Sequence, residues 1–226
     1  MSQVINSIST SELIKGFYKE IMILGNGPSL KRLDFKNIQS ELIICCNWIF
    51  QHKHFDLIDS RSILCFSDPA FSNMNVDSWL VKLLKNRCIV LIPSFWERQI
   101  KWIETKTNIK GRVFTYELEG SYKDYKQAAS KNNMERFPKV HYTSSVMTTI
   151  CLPLANRIKT NEIRISGLDA TYFSNGKFDP YFFKLNSEHQ YRHTKDQAET
   201  WSTNLNNELH HQFNIIKSNG KLIDRF

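Results

Sequence analysis

Four polar side chains follow short apolar runs of the sequence, each at the point where a run ends: Asn26, Asn47, Asp68 and Asp169. Amide and carboxyl groups recognise ligands through hydrogen bonds, the amide as donor and acceptor and the carboxylate as acceptor alone. If the apolar runs are parallel strands, their carboxyl ends share one edge of a sheet, where ligands bind in open α/β proteins. We therefore expect these side chains to converge on one cleft.

A glycine turn in the stretch 21–33, IMILGNGPSLKRL, carries the first of these side chains. Its four apolar residues predict a buried strand, and Pro28 suits the start of a helix because its φ is already helical. A strand that turns through two glycines into a helix leaves free N–H donors beside the positive helix end, which suits a phosphate. A plain strand–turn–helix corner stays open, since Leu30 replaces the third glycine of the dinucleotide fingerprint. The residues of this candidate cradle are Gly25, Asn26, Gly27 and Ser29.

Composition is that of an ordinary globular protein, with 226 residues, 41% of them hydrophobic and 23% charged. This length favours a single domain over residues 1–226 with a sizeable core. The net charge of +8 is compatible with an anionic partner, such as a nucleotide, a nucleic acid, an acidic glycan or an anionic membrane, and equally with a basic soluble domain that has no such partner. The five cysteines form no CxxC pair, and no long apolar run or signal peptide is visible. We expect a cytoplasmic protein with reduced core cysteines.

Short apolar runs alternate with amphipathic segments along most of the chain. The runs predict strands at residues 21–24, 41–46, 62–66, 88–92, 112–116 and 162–166. The amphipathic segments predict helices at 9–17, 76–87, 95–110, 144–157 and 194–213, with an interruption at Pro153. This alternation predicts an α/β fold built on a mostly parallel, doubly wound sheet.

Two polar segments lack a clear period. Residues 117–138 are predicted to be a surface excursion or insertion. Residues 170–193 are rich in aromatic residues, asparagine and histidine, and we expect them to form a small lid over the site.

Six short motifs occur in order along the chain: GNGPSL at 25–30, CN at 46–47, FSDP at 66–69, YTSSV at 142–146, ISGLD at 165–169 and HQYRHTK at 189–195. Together they resemble the motifs of glycosyltransferase family 42, the bacterial sialyltransferases of Campylobacter, Pasteurella and Haemophilus. That family has NP, ITSGV, LSGID and HYIGHSK in place of the last four. The resemblance implies a Rossmann-like GT-A-variant domain with a lid. It further implies an inverting transfer from CMP-sialic acid that needs neither metal nor cofactor.

The resemblance also implies roles for individual residues. Asn26 and Asn47 would bind the nucleotide and the donor, and Thr143 and Ser144 would bind donor groups, Ser144 the sugar carboxylate. Three residues would line the cytidine and ribose pocket: Ser166, Gly167 and Asp169. His193 would be the general base, and the two lid tyrosines that meet the leaving phosphate would be Tyr172 and Tyr181.

The chemistry of these side chains agrees with those roles. An imidazole titrates near neutral pH, so His193 could take the proton of an acceptor hydroxyl. Without a metal, the departing phosphate needs hydrogen-bond donors such as tyrosine hydroxyls. Other interpretations stay open: His193 could cap a helix, and Tyr172 and Tyr181 could pack in a core. The His189/His193 pair resembles half of a metal site, but no third ligand is evident.

Two residues depart from the family pattern and leave the identity of the sugars open. His141 stands where the family has an arginine near acceptor and donor, and Asp68 replaces an asparagine. The donor sugar could therefore be sialic acid, Kdo or a legionaminic-type sugar. The expected acceptor is a lipo-oligosaccharide or capsule glycan. Contact with the inner face of the inner membrane and a homo-oligomer, as in the family, are further expectations.

Two other functions are compatible with parts of the sequence. Proteins of flagellin glycosylation and pterin diphosphokinases also open with a GNGPSL-type loop, and a diphosphokinase would need Mg²⁺ and ATP. A basic nucleic-acid-binding module is the alternative from another class. The lysines and arginines of this chain are dispersed, however, and no RNP-like strand, GXXG loop or basic recognition helix is evident. We therefore expect no nucleic-acid partner.

Overall fold

The computed structural model describes residues 6–7, 16–68, 71, 80, 83, 88–105, 112–120, 133–143, 145–169 and 195–225. Nine strands lie in these ranges: β1 (Asn6–Ser7), β2 (Phe17–Leu24), β3 (Leu42–Cys46), β4 (Ser62–Cys65), β5 (Ile89–Pro93), β6 (Val113–Glu119), β7 (Lys139–His141), β8 (Lys159–Ser166) and β9 (Leu222–Arg225). The α-helices are α1 (Glu97–Glu104), α2 (Asn133–Arg136), α3 (Leu152–Arg157) and α4 (Lys195–Ser218). A π-helix, Met147–Cys151, runs directly into α3. Short 3₁₀ helices cover Pro28–Arg32, Phe35–Asn37, Asn47–Gln51, Phe55–Leu57 and Asp59–Arg61.

The strands form one sheet in the order β1-β6-β5-β4-β3-β2-β8-β9, and β7 pairs with the end of β6. Every pairing is parallel. At the end of β2, Leu24 lies between Cys45 of β3 and Ser166 of β8. The predicted α/β fold with a parallel, Rossmann-like sheet is confirmed.

Both faces of the sheet are covered, as in a doubly wound fold. Side chains alternate between the faces along each strand, so Ile21 and Ile23 enter one core and Met22 and Leu24 the other. All five cysteines are buried with free thiols, which agrees with their prediction as core residues. Burial raises the pKa of the Cys88 thiol to about 12, so this thiol stays protonated at neutral pH.

The direction of the chain reverses between β2 and β8. From β2 to β6 each strand lies beside the preceding one, and the connections pack Leu30, Phe35 and Ile103 on one face. The chain then returns to β8 on the other side of β2, and α4 packs Leu205 and Leu209 on the opposite face. Because parallel crossovers are right-handed, opposite directions require opposite faces. The topological switch point therefore lies at the carboxyl ends of the paired strands β2 and β8, where ligands bind in such sheets.

The six predicted strands are present, and three of them are longer than predicted. Strands β2, β6 and β8 continue into polar residues: FYKE, ELE and KTN. Strands β1, β7 and β9 were missed because they have only two to four residues and no run of buried apolar side chains. The predicted helix at 9–17 is wrong at its end, since Phe17 begins β2; residues 9–15 lie outside the described residues.

Most of the predicted helices are present. Segment 95–110 contains α1, segment 194–213 lies almost entirely in α4, and Leu80 and Leu83 of segment 76–87 are helical and buried. The helix predicted to begin near Pro28 is instead a 3₁₀ helix of five residues. It ends early because Asp34 starts a second short helix by accepting from the Lys36 N–H, which lets Phe35 enter the same core as Leu30.

Pro153 interrupts segment 144–157, as predicted. The residue lacks an N–H, so the Thr149 carbonyl has no helical partner there. Upstream of it the chain forms the π-helix, in which the Leu152 N–H reaches back to the Met147 carbonyl. The carbonyls of Thr148 and Thr149 accept instead from the Asn133 side chain, at 3.5 and 3.4 Å. A side chain, rather than the helix backbone, therefore supplies the hydrogen bonds to these two carbonyls.

Candidate functional site

The loops that follow β2 and β8 are joined into one unit at the switch point. The Gly25 N–H donates to the Ser166 carbonyl and the Gly27 N–H to the Gly167 carbonyl, each at 2.8 Å. These bonds continue the pairing of the two strands beyond their last residues. The two predicted motifs GNGPSL and ISGLD are therefore in direct contact.

Asp169 completes this unit with its carboxylate. Its Oδ2 accepts hydrogen bonds from the Ser29 N–H at 3.1 Å and from Ser29 Oγ at 3.0 Å. An anionic group of the chain itself thus occupies the start of the 3₁₀ helix Pro28–Arg32. The prediction of free N–H donors for a phosphate is wrong for Gly25, Gly27 and Ser29, because all three donate within the protein.

The glycines of this unit allow the two loops to approach closely. A Cβ at position 25 would lie 2.2 Å from the Gly167 carbonyl oxygen, and one at position 27 would lie 1.9 Å from Asp169 Oδ2. Gly167 has a φ of +73°, and a Cβ there would lie 2.6 Å from Leu30 Cγ. Any side chain at these three positions would force the loops apart. The glycines therefore act through loop packing, which a sequence pattern cannot distinguish from ligand contact.

Asn26, between the two glycines of the first loop, has an unused acceptor. Its Oδ1 is buried and has no hydrogen-bond partner among the described residues. Buried acceptors are normally paired, so an unpaired one calls for a partner that the described residues do not provide. The neighbouring Asp169 carboxylate is also an acceptor only, when ionised. Together they suit a ligand that donates hydrogen bonds, such as one with hydroxyl or amino groups.

Asn47 lies at the end of β3 in a backbone conformation that few residues adopt. Its φ is +31°, and the residue is 9% exposed. Its Oδ1 accepts from the Ser67 N–H at 3.3 Å, which joins the ends of β3 and β4. Its Nδ2 has no acceptor in the part of the chain that the structure describes. Left-handed residues other than glycine concentrate at functional sites, and asparagine tolerates this region.

The four polar residues predicted to converge follow four adjacent strands. In the order β4-β3-β2-β8 they are Asp68, Asn47, Asn26 and Asp169. Asp68 is half-buried, and its carbonyl accepts from the Phe71 N–H at 3.0 Å. The Tyr116 hydroxyl donates to the Phe66 carbonyl at 2.7 Å and holds the start of this loop. All four residues therefore lie along the carboxyl edge of the sheet. The convergence of their side chains on one cleft stays a prediction.

Thr143 uses its hydroxyl inside the protein. It is 2% exposed, and its Oγ1 lies 2.7 Å from Thr148 Oγ1 and 2.9 Å from Thr149 Oγ1. The first turn of the following helix is capped by Ser145, whose Oγ accepts from the Met147 and Thr148 N–H groups. Ser144, Tyr172, Tyr181 and His193, with the lid 170–193, lie outside the described residues, and their roles stay predictions.

His141, which stands in place of a family arginine, lies in a charged cluster at the ends of β6 and β7. Its Nε2 is 3.3 Å from Glu119 Oε2, and Arg136 and Lys139 also pair with this carboxylate at 2.8 and 2.9 Å. Hydrogen bonds from Lys139 and then Arg136 lower the pKa of Glu119 to about 2. The sequence analysis missed this cluster because its members lie on three elements.

No protein-family model matches the chain, and no curated protein matches it. Within the described ranges, no group of three or more His, Cys, Asp or Glu side chains could hold a metal ion. None of the helices in those ranges is long and apolar enough to cross a membrane.

Proposed function

We propose that this chain is an inverting, metal-independent glycosyltransferase that uses a CMP-activated keto-sugar acid. Sialic acid is the first candidate for the sugar, with Kdo and legionaminic-type sugars as alternatives. The acceptor is a hydroxyl of a lipo-oligosaccharide or capsule glycan. The observation that carries the proposal is the unpaired Asn26 Oδ1 beside Asp169 at the switch point. The ribose hydroxyls and cytosine amino group of CMP are donors that match such acceptors.

The reaction is a direct displacement at the anomeric carbon. An acceptor hydroxyl attacks this carbon while its proton passes to the His193 imidazole. As the new C–O bond forms, the bond to the CMP phosphate oxygen breaks, and its electron pair leaves with CMP. The hydroxyls of Tyr172 and Tyr181 donate to the phosphate as its charge grows, which replaces the help of a metal. Ser144 holds the carboxylate of the sugar.

Two further residues at the carboxyl edge of the sheet, Asp169 and Asp68, affect binding of the nucleotide donor. Asp169 has one oxygen fixed by Ser29, so its second oxygen can accept from a ribose hydroxyl. Asp68 weakens the binding of an anionic donor unless a sugar hydroxyl donates to it. The net charge of +8 favours both an anionic donor and contact with an anionic membrane surface. A homo-oligomer at the inner face of the inner membrane belongs to the same proposal.

Ligand-induced thermal stabilisation in EDTA tests the proposal. We expect CMP to raise the melting temperature more than CDP, UDP or GDP, because the proposed donor is a CMP-sugar. A ligand present at 100 times its Kd adds about 2.7 kcal/mol to the free energy of unfolding. Hydrolysis of CMP-sialic acid should also proceed in EDTA. Stabilisation only by Mg²⁺ with ATP would instead support a diphosphokinase, and stabilisation only by RNA a nucleic-acid-binding module.

Replacement of the proposed base separates catalysis from binding. We expect His193→Ala to abolish transfer while CMP still stabilises the protein, because the imidazole acts on the acceptor hydroxyl. His211→Ala is the control: His211 is exposed on α4, so this variant should keep the transfer activity of the original protein. Simultaneous loss of transfer and CMP binding in His193→Ala would show that His193 is structural.

A further inference from the structure

A chain of buried hydroxyl groups connects α4 to the segment 142–145. Thr148 Oγ1 donates a hydrogen bond to Glu208 Oε2 at 2.7 Å, and it lies 2.7 Å from Thr143 Oγ1. Glu208 is 5% exposed and Thr148 is fully buried. A carboxylate is rarely removed from water unless its hydrogen bonds are satisfied. Neither the sequence motifs nor the proposed mechanism uses this carboxylate.

The hydrogen bond between Thr148 and Glu208 has one possible direction when Glu208 is ionised. The carboxylate can then only accept, so Thr148 directs its single hydroxyl proton toward it. Thr148 Oγ1 keeps its lone pairs for the contact with Thr143 Oγ1 at 2.7 Å, and Thr143 Oγ1 also lies 2.9 Å from Thr149 Oγ1. Two short contacts therefore join Glu208 to Thr143 through Thr148.

Thr149 forms hydrogen bonds to both chain neighbours of position 144. Thr149 Oγ1 donates to the Ser145 carbonyl at 2.7 Å and accepts from the Thr143 N–H at 3.2 Å. The two neighbours of position 144 along the chain are thus both attached to the π-helix. Gln212, one turn beyond Glu208 on α4, donates to the Thr148 carbonyl at 2.8 Å. Because α4 begins two residues after His193, the same bonds position the helix that follows the proposed base.

We propose that Glu208 is a positioning residue, which acts through Thr148 and Thr143 to hold the segment that binds the donor sugar. This inference rests on the proposed function, in which Ser144 binds the sugar carboxylate. CMP has no such carboxylate. Loss of the Glu208 carboxylate should therefore weaken the binding of CMP-sialic acid and leave the binding of CMP almost unchanged. A residue that only stabilises the fold would not separate the two ligands.

The test compares the full chain with its Glu208→Gln and Thr148→Val variants. We expect each variant to raise KM for hydrolysis of CMP-sialic acid about 3- to 10-fold, the effect of one hydrogen bond, with the CMP Kd within about twofold of the original. Thr148→Ser keeps the hydroxyl and should restore the original KM. Glu199→Gln is the matched control, because Glu199 is exposed on the same helix.

The double variant Glu208→Gln/Thr148→Val tests whether the two residues act as one unit. Its KM should be no higher than that of the more affected single variant; multiplied effects would overturn the inference. An unchanged KM, or an equal rise in KM and CMP Kd, would also overturn it. If Glu208→Gln fails to fold, the Thr148→Val and Thr148→Ser pair decides. A parent chain that binds no CMP overturns the proposed function as well, whereas normal binding with unaffected variants overturns this inference alone.

Discussion

The buried side-chain oxygen of Asn26 lowers the stability of the protein. Its Oδ1 is buried without a partner among the described residues, and an unpaired buried acceptor costs about 1–3 kcal/mol. Alanine would avoid this cost, and such locally unfavourable residues are found where function requires them. The neighbouring Asp169 carboxylate shows the opposite case, because Ser29 satisfies one of its oxygens twice. Asn26 therefore lacks a partner for Oδ1 among the described residues, whereas Asp169 stabilises the loop.

Replacement of Asn26 should separate ligand binding from stability. We expect Asn26→Ala to weaken CMP binding about tenfold and to leave the melting temperature unchanged or higher, because an unpaired acceptor is removed. Calorimetric titration with CMP and thermal unfolding measure the two effects.

Asn37→Ala provides the control for this variant. Asn37 is exposed and donates to Asp34 on the surface, so its replacement should not change the CMP Kd. A marked loss of stability in Asn26→Ala with normal CMP binding would show that Asn26 is structural.

The sequence predicted which polar residues lie at the carboxyl edge of the sheet better than it predicted their hydrogen bonds. Polar residues at the ends of apolar runs can be found without a structure, and Asn26, Asn47 and Asp169 were found in this way. The partners of backbone N–H groups depend on a loop more than 100 positions away, so the use of Ser29 by Asp169 was missed. The same limit hid the buried role of Thr143, whose hydroxyl faces the interior.

At the scale of elements, Asn133 joins a helix, a strand and the π-helix. It is fully buried, and its Oδ1 accepts from the His141 N–H at 2.7 Å. Its Nδ2 donates to the His141 carbonyl at 2.9 Å and to the carbonyls of Thr148 and Thr149. The side chain thus pairs with His141 as a neighbouring strand would. It also satisfies the backbone that Pro153 leaves without a helical donor.

Loss of this amide should destabilise the whole domain. We expect Asn133→Leu to lower the free energy of unfolding by about 2–4 kcal/mol, because several buried backbone groups would lose their partner. Urea unfolding followed by circular dichroism measures the change. Asn219→Leu is the control, since Asn219 makes an exposed bond to Asn156 and should cost about 1 kcal/mol or less. Equal effects of the two variants would contradict the role assigned to Asn133.

Burial explains which elements could be predicted. Strands β3, β4 and β5 are almost entirely buried, so they are continuous apolar runs in the sequence. Strands β7 and β9 are short and partly exposed, and they form only because a neighbouring strand offers its backbone. The 3₁₀ helix at Pro28–Arg32 was taken for the start of an α-helix because local signals at a helix start do not report its length.

At the scale of the whole molecule, the Glu119 cluster makes stability depend on pH. Hydrogen bonds from Lys139 and Arg136 lower the pKa of Glu119 from 4.5 to about 2 in the folded protein. A carboxyl with a lowered folded pKa stabilises the fold above its unfolded pKa, and this contribution is lost as the pH falls toward the folded value. The loss should therefore occur between about pH 4.5 and 2.

Thermal unfolding of Glu119→Gln across this range tests the expectation. The variant should melt below the original protein at pH 7, and the difference should shrink as the pH falls through the same range. Glu97→Gln is the control, because Glu97 pairs with Lys101 at 3.6 Å in a largely exposed ion pair. A difference for Glu119→Gln that stays constant down to about pH 2 would contradict the assigned cause.

The contact between Ser29 and Asp169 joins positions 140 residues apart in the chain. Strands β2 to β6 can pair in the order in which they are synthesised, but β8 must return to the free side of β2, the first strand of that series. A nascent chain on the ribosome cannot complete the proposed nucleotide site until Asp169 has left the exit tunnel. Truncated chains that end before this residue should therefore lack ligand-dependent resistance to proteases, however much of the sheet they have already formed.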